Sequence, residues 1–96
     1  MGLMAGLEAA HAAVDALVGA PALTGQVVSV AECAAAVRSV ERLVRRVEAI
    51  RLRVVSAAAR SDVAAQAGHA STGAWLASTT RTTGREAAGQ VRLAEM

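Results

Sequence analysis

The apolar residues Val30, Cys33, Val37, Val40, Val44, Val47, Val54 and Ala58 recur in a three-four alternation, the spacing that gathers side chains on one stripe of an α-helix. Only Arg51 interrupts that stripe with a charge. A second line, Ala36, Leu43, Ile50 and Ala57, repeats every seventh residue and widens the face. Packing against two neighbouring helices is therefore better supported than a bare two-stranded seam. Because the valines keep the helical period and do not alternate, the period outranks their intrinsic β preference. Ser29, with Glu32 three residues on, supplies a capping box that satisfies the first unpaired backbone donors. A helix from about Val30 to Ala65 would be about 50 Å long, whereas a compact domain of this chain length spans roughly 30 Å. The helix is expected to project beyond its module and to offer apolar surface to a partner or to further chain.

The remainder reads as shorter helices. Leu3, Leu7, Ala10, Val14, Leu17 and Val18 mark an amphipathic helix over residues 3–18, stopped by Gly19. Pro21 and Gly25 fall in a connection over 19–28, where such breakers belong. After Gln66, the Gly68-His69 pair marks a break, and Ser71 or Thr72 can cap a short helix carrying Trp75 and Leu76. Thr79, Thr80, Arg81 and Thr82 form a polar turn, and Thr83 with Glu86 makes a second capping box, opening a last helix through Ala87, Val91 and Leu93. Residues 71–96 thus suggest a helix-turn-helix-like hairpin, although the turn lacks the usual Gly and Gly89 interrupts the second helix. That last helix carries no C-cap signal and reads as cut off. Trp75, the single aromatic residue, is expected to anchor the core.

Composition agrees with an all-α class and limits what the chain can do. Its 96 residues allow one domain, and 54% are apolar, mostly Ala and Val, with a single Ile and no Phe or Tyr. Ala, Arg, Leu and Glu favour helix, but side chains this small make a thin core, so stability is modest or shared with a partner. One cysteine excludes an internal disulfide and a Cys-based zinc site and suits a reducing compartment. Cys33 itself is expected to be a small buried hydrophobe on its helix. The first 20 residues open without positive charge and contain Glu8 and Asp15, which fits neither a signal peptide nor a membrane span. A cytoplasmic protein without a membrane partner is expected. His11 and His69, the only histidines, lack acids at metal-ligand spacing, and a lone His is a poor metal site. No catalytic residue, metal, cofactor or small-molecule substrate is assigned.

Charge is distributed unevenly. The formal net charge is only +2, yet all ten basic residues are Arg. At helical periodicity Arg38, Arg42, Arg45, Arg46, Arg53 and Arg60 fall on one side, opposite the valines. Arg38 with Arg42, and Arg42 with Arg46, are like-charge pairs four apart, which cost a few tenths of a kcal/mol each, with Glu41 and Arg45 repaying part. Such a stripe is not selected for helix stability. DNA is one expected partner, since neutralising backbone phosphates releases counterions; an ordinary solvated face, or an acidic helix such as residues 3–18, is the other reading. The candidate DNA-backbone contacts are Arg38, Arg42, Arg45, Arg46 and Arg53. The candidate partner-helix face is Val37, Val40, Val44, Val47 and Val54, open to a homodimer or to a C-terminal domain. Arg51, on the apolar face, needs a carboxylate partner or a place at the rim; Glu48 is near enough to serve.

The segment Gly68-His-Ala-Ser-Thr-Gly-Ala-Trp-Leu-Ala, then Thr82-Thr-Gly-Arg-Glu-Ala and Val91-Arg-Leu-Ala, resembles a pattern of the actinobacterial 13E12-repeat family. The run Val40-Glu-Arg-Leu-Val-Arg-Arg-Val-Glu-Ala-Ile-Arg-Leu-Arg-Val-Val is similar to the long helix of that family, and the resemblance covers residues 29–96. It implies an N-terminal helical domain of unknown function that precedes an HNH endonuclease domain and contributes to DNA association or domain assembly. The HNH cluster has no counterpart here, and the chain contains no Asn. Nuclease chemistry, which needs a metal and a His base held together, is therefore not expected of this chain. Two further readings remain beside it: a helix-mediated interaction or dimerisation module with no nucleic-acid role, and an inactive truncated remnant.

Overall fold

The computed structural model describes residues 2–25 and 28–96, without the side chain of Ala22. All regular elements among them are helical: α1 (Leu3–Val18), a short 3-10 turn (Pro21–Leu23), α2 (Val30–Arg60), α3 (Val63–Gln66), α4 (Thr72–Thr80) and α5 (Gly84–Ala94). The chain divides into two units, residues 1–38 and 39–96, with the boundary inside α2. The all-α class and the long helix expected from the sequence are both present.

In the first unit, α1 has the expected bounds. Gly19 closes it, its N–H donating to Asp15 O at 3.2 Å. No side chain caps the start of α1, its first turn carries no acid and its last no base, so its dipole goes uncompensated. Pro21 stands at the first position of the 3-10 turn, where its missing N–H costs nothing. Gln26 and Val27, within the expected 19–28 connection, lie outside the described residues. The start of α2 is capped as its sequence requires: Glu32 N–H donates to Ser29 Oγ at 3.1 Å.

The second unit holds the core. Here α2 ends at Arg60 and not at Ala65, which shortens it to about 46 Å. Asp62 takes the left-handed conformation, with φ 56°, and Ser61 and Asp62 are weak helix formers whose side chains compete for backbone partners. In place of a continued α2, residues 63–66 form the single turn of α3, which carries Ala64 to a buried position. Gly68, with φ 83°, then ends α3: its own N–H donates to Ala65 O at 3.1 Å and that of His69 to Ala64 O at 2.8 Å. This pair of hydrogen bonds is a Schellman motif, for which Gly is the favoured residue, and it gives His69 a backbone role in the turn.

Ser71 caps α4, its Oγ accepting from Ala74 N–H at 3.1 Å. α4 runs on through Thr79 and Thr80, which the sequence places in a polar turn. Thr80 joins the helix because its hydroxyl donates to Leu76 O at 2.7 Å. The turn contracts to Arg81–Thr83: Arg81 is left-handed, φ 58°, and Thr82 N–H reaches Ala77 O at 3.1 Å. Thr83 Oγ1 accepts from Glu86 N–H at 3.1 Å to start α5, and the N–H of Glu95 closes it on Val91 O.

Val55 from α2, Leu76 from α4 and Ala87 from α5 form the buried cluster, flanked by Trp75, Ala77, Val91 and Ala94. Ala87 has no exposed surface. α4 and α5 approach closely at small residues: a Cβ at Gly73 would lie 3.6 Å from Ala88 Cα, in ordinary van der Waals contact. Trp75 is half-buried and lies against the cluster, not at its centre. Leu76→Ala is expected to destabilise this unit by about 2–4 kcal/mol, the cost of an uncollapsed cavity in a small core. Arg81→Gly is expected to stabilise it by about 0.5–1 kcal/mol by relieving the left-handed backbone. Thermal unfolding followed by the fluorescence of Trp75 checks both.

Candidate interaction surface

Residues 35–50 of α2 are all exposed. Val37 is 61% exposed, Val40 57%, Val44 55%, Val47 54% and Val54 38%, with Leu43 and Ile50 beside them at 41% and 47%. Helical periodicity puts these seven side chains on one side, so they make a continuous apolar strip. Single exposed hydrophobes are ordinary, whereas contiguous apolar strips are less common on soluble proteins. The side chains that the sequence assigns to a partner-helix face are thus exposed together on one side of α2.

Cys33 departs from expectation. It belongs to the same stripe but is exposed, because nothing among the described residues covers this part of the helix. The strip ends where the second unit's core begins, since Val55 and Ala58 are buried while Val54 is still open.

Arg51 sits inside the strip and is half-buried. Its Nη1 lies 3.5 Å from Glu48 Oε2, the partner expected from sequence. The contact is long and leaves both side chains substantially in water, which makes it a weak tether that a better acceptor could replace. Glu41 is similarly loose: its Oε2 stands 4.0 Å from Arg45 Nη1.

The opposite side of α2 carries the arginines. Arg38, Arg42, Arg45, Arg46 and Arg53 are all exposed and occupy an arc about 100° wide. Among the described residues, Arg38, Arg42, Arg46 and Arg53 have no carboxylate within 4.0 Å. Arg60 is held differently, donating to Ser56 Oγ at 2.8 Å. A shallow groove where α2 meets α5 is lined by Leu52, Arg53, Ser56, Arg60, Leu93 and Ala94. Sequence periodicity does not reveal it, because it arises from how α5 docks. Arg85 and Arg92 of α5 are exposed as well.

His11 lies exposed on α1 in the first unit, and His69 is half-buried in the α3–α4 connection of the second. Among the described residues no three His, Cys, Asp or Glu side chains gather at metal-binding distance, and no helix is long and apolar enough to cross a membrane. No protein-family model, curated protein or solved structure matches the chain.

If the arginine stripe is kept at the expense of helix stability, Arg42→Glu should strengthen α2. The change removes two like-charge contacts and creates attractive pairs with Arg38 and Arg46, for an expected gain of about 1 kcal/mol. Helicity and thermal midpoint measured by circular dichroism at low salt would rise; no change at low salt would count against the stripe's cost.

Proposed function

We propose that this chain is a non-catalytic helical assembly module whose α2 valine face docks a partner helix. One observation carries the reading: seven large apolar side chains between Val37 and Val54 stand open on one helix, in a chain whose own buried core is small. Burying them would return about 25 cal/mol for each Å² of apolar surface removed from water, a gain the single chain forgoes. The reading suits the helical part that precedes an HNH domain in the 13E12-repeat family that residues 29–96 resemble, and a reducing cytoplasm, where the exposed thiol of Cys33 persists.

The arginine stripe supports a second reading, association with the DNA backbone. Five exposed guanidinium groups on one side of a helix can neutralise phosphates without reading bases. Both faces can be used at once, since they lie on opposite sides of α2.

A photo-activated cross-linker placed at Val47 and, separately, at Arg46 tests the assembly reading in the cells that make the protein. An adduct of one defined mass from Val47 and none from Arg46 is expected; equal, heterogeneous labelling from both faces contradicts a docking surface. For the second reading, duplex binding is expected to fall steeply between about 50 and 200 mM salt, by about tenfold or more for each few phosphates neutralised. The triple change Arg42→Gln, Arg45→Gln and Arg46→Gln should shallow that dependence, and an absence of binding at low salt removes DNA from the account.

A further inference from the structure

Resting on the assembly reading, we infer that the occupant of the valine face is a second copy of this chain, with the two α2 helices antiparallel and centred between Val44 and Val47. Two features of α2 point there, and the first is charge.

Arg51 occupies a seam position. In a parallel, in-register pair it would face Arg51 of the other copy, bringing two guanidinium groups together at the interface, an arrangement that disfavours the pairing. In the antiparallel pair centred between Val44 and Val47, Arg51 instead lies beside Val40 of the other copy and within reach of that copy's Glu41. Seam positions then match throughout, Val44 with Val47, Val40 with Arg51 and Val37 with Val54. On the same flank, Glu48 of one copy and Glu41 of the other come close together, and Arg51 stands between the two carboxylates. Its present contact with Glu48, long at 3.5 Å, and the loose Arg45–Glu41 pair at 4.0 Å leave both acids free to accept it. One residue that obstructs the parallel dimer therefore compensates two acids in the antiparallel one.

The second feature is extent. The large apolar side chains from Val37 to Val54 are exposed and stop at buried Val55, with Val30 and Cys33 of the same stripe also exposed upstream; an axis between Val44 and Val47 pairs the stretch from Val37 to Val54 with itself. The other flank brings Leu43 and Ile50 of one copy against those of the other, which uses the second apolar line. Seven side chains, each about half open, expose roughly 600 Å² per copy, and two such faces together reach roughly 1,200 Å², the lower edge of stable specific interfaces. A symmetric pair thus covers the apolar side chains from Val37 to Val54.

The test measures mass and orientation on the full chain. Sedimentation at about 100 μM is expected to give two chains, a concentration that populates a dimer with a dissociation constant in the micromolar range. Arg51→Glu should weaken association about tenfold or more by setting three acids together. Adding Glu41→Arg should restore it to within about threefold. Residues 41 and 51 are about 15 Å apart along one helix, so only contact between copies can couple them. In a Cys33→Ser background, chains carrying Val37→Cys and Val54→Cys should form a mixed disulfide on oxidation. A disulfide between two Val37→Cys chains instead would establish a parallel pair and overturn the arrangement. A monomer at that concentration would overturn self-association altogether. The Val47 cross-link then separates the cases: an adduct with a different protein leaves the assembly reading standing, and a link to α1 of the same chain defeats both.

Discussion

Ala87, wholly buried in one cluster with Leu76 and Val55, ties α5, α4 and α2 together in the second unit. Val55 and Ala58 are the buried residues of α2. Upstream of them the helix forms on local interactions, despite the like-charge arginine pairs. Its cap at Ser29, its first-turn Glu32 and its run of Ala, Val and Arg sustain the backbone bonds. A core of Val, Leu and Ala side chains can hold one end of a helix this long but not its whole length. The uncovered valine strip follows from that limit.

The same division between local and tertiary causes explains which features are legible in the sequence. Helix starts are, because they depend on hydrogen bonds between residues three apart: Ser29 to Glu32, Ser71 to Ala74 and Thr83 to Glu86 all form. The end of α2 is less so: Ser61 and Asp62 are weak helix formers, but Ala64 and Ala65 after them are good ones, so the local signal is mixed. After the stop at Arg60 the left-handed Asp62 redirects the chain, and Ala64 in the following turn is buried. Thr79 and Thr80 mislead in the opposite sense, having the composition of a turn until the Thr80 hydroxyl finds the Leu76 carbonyl within the helix.

Candidate surfaces are legible as faces, because helical periodicity places side chains without knowledge of neighbours. What occupies a face is a tertiary property, and Cys33 shows the difference: periodicity assigns its stripe, while its burial would need a cover that the described residues do not supply. Arg51 carries more information than its valine neighbours for the same reason. An apolar strip accepts many partners, whereas a single charge in a seam favours one orientation over another. The arginines across the helix are less selective, being compatible with solvent or with any polyanion.

The side chains of α2 from Val37 to Val54 are exposed, and the proposed association would bury them. Hydrogen exchange along α2, followed as a function of protein concentration, addresses it most directly. Amides of residues 37–54 are expected to become more protected as concentration rises, in step with the fraction of dimer, while amides around Leu76 and Ala87 exchange at rates set by their own unit. Protection of α2 that is already complete at the lowest concentration and does not change would contradict it.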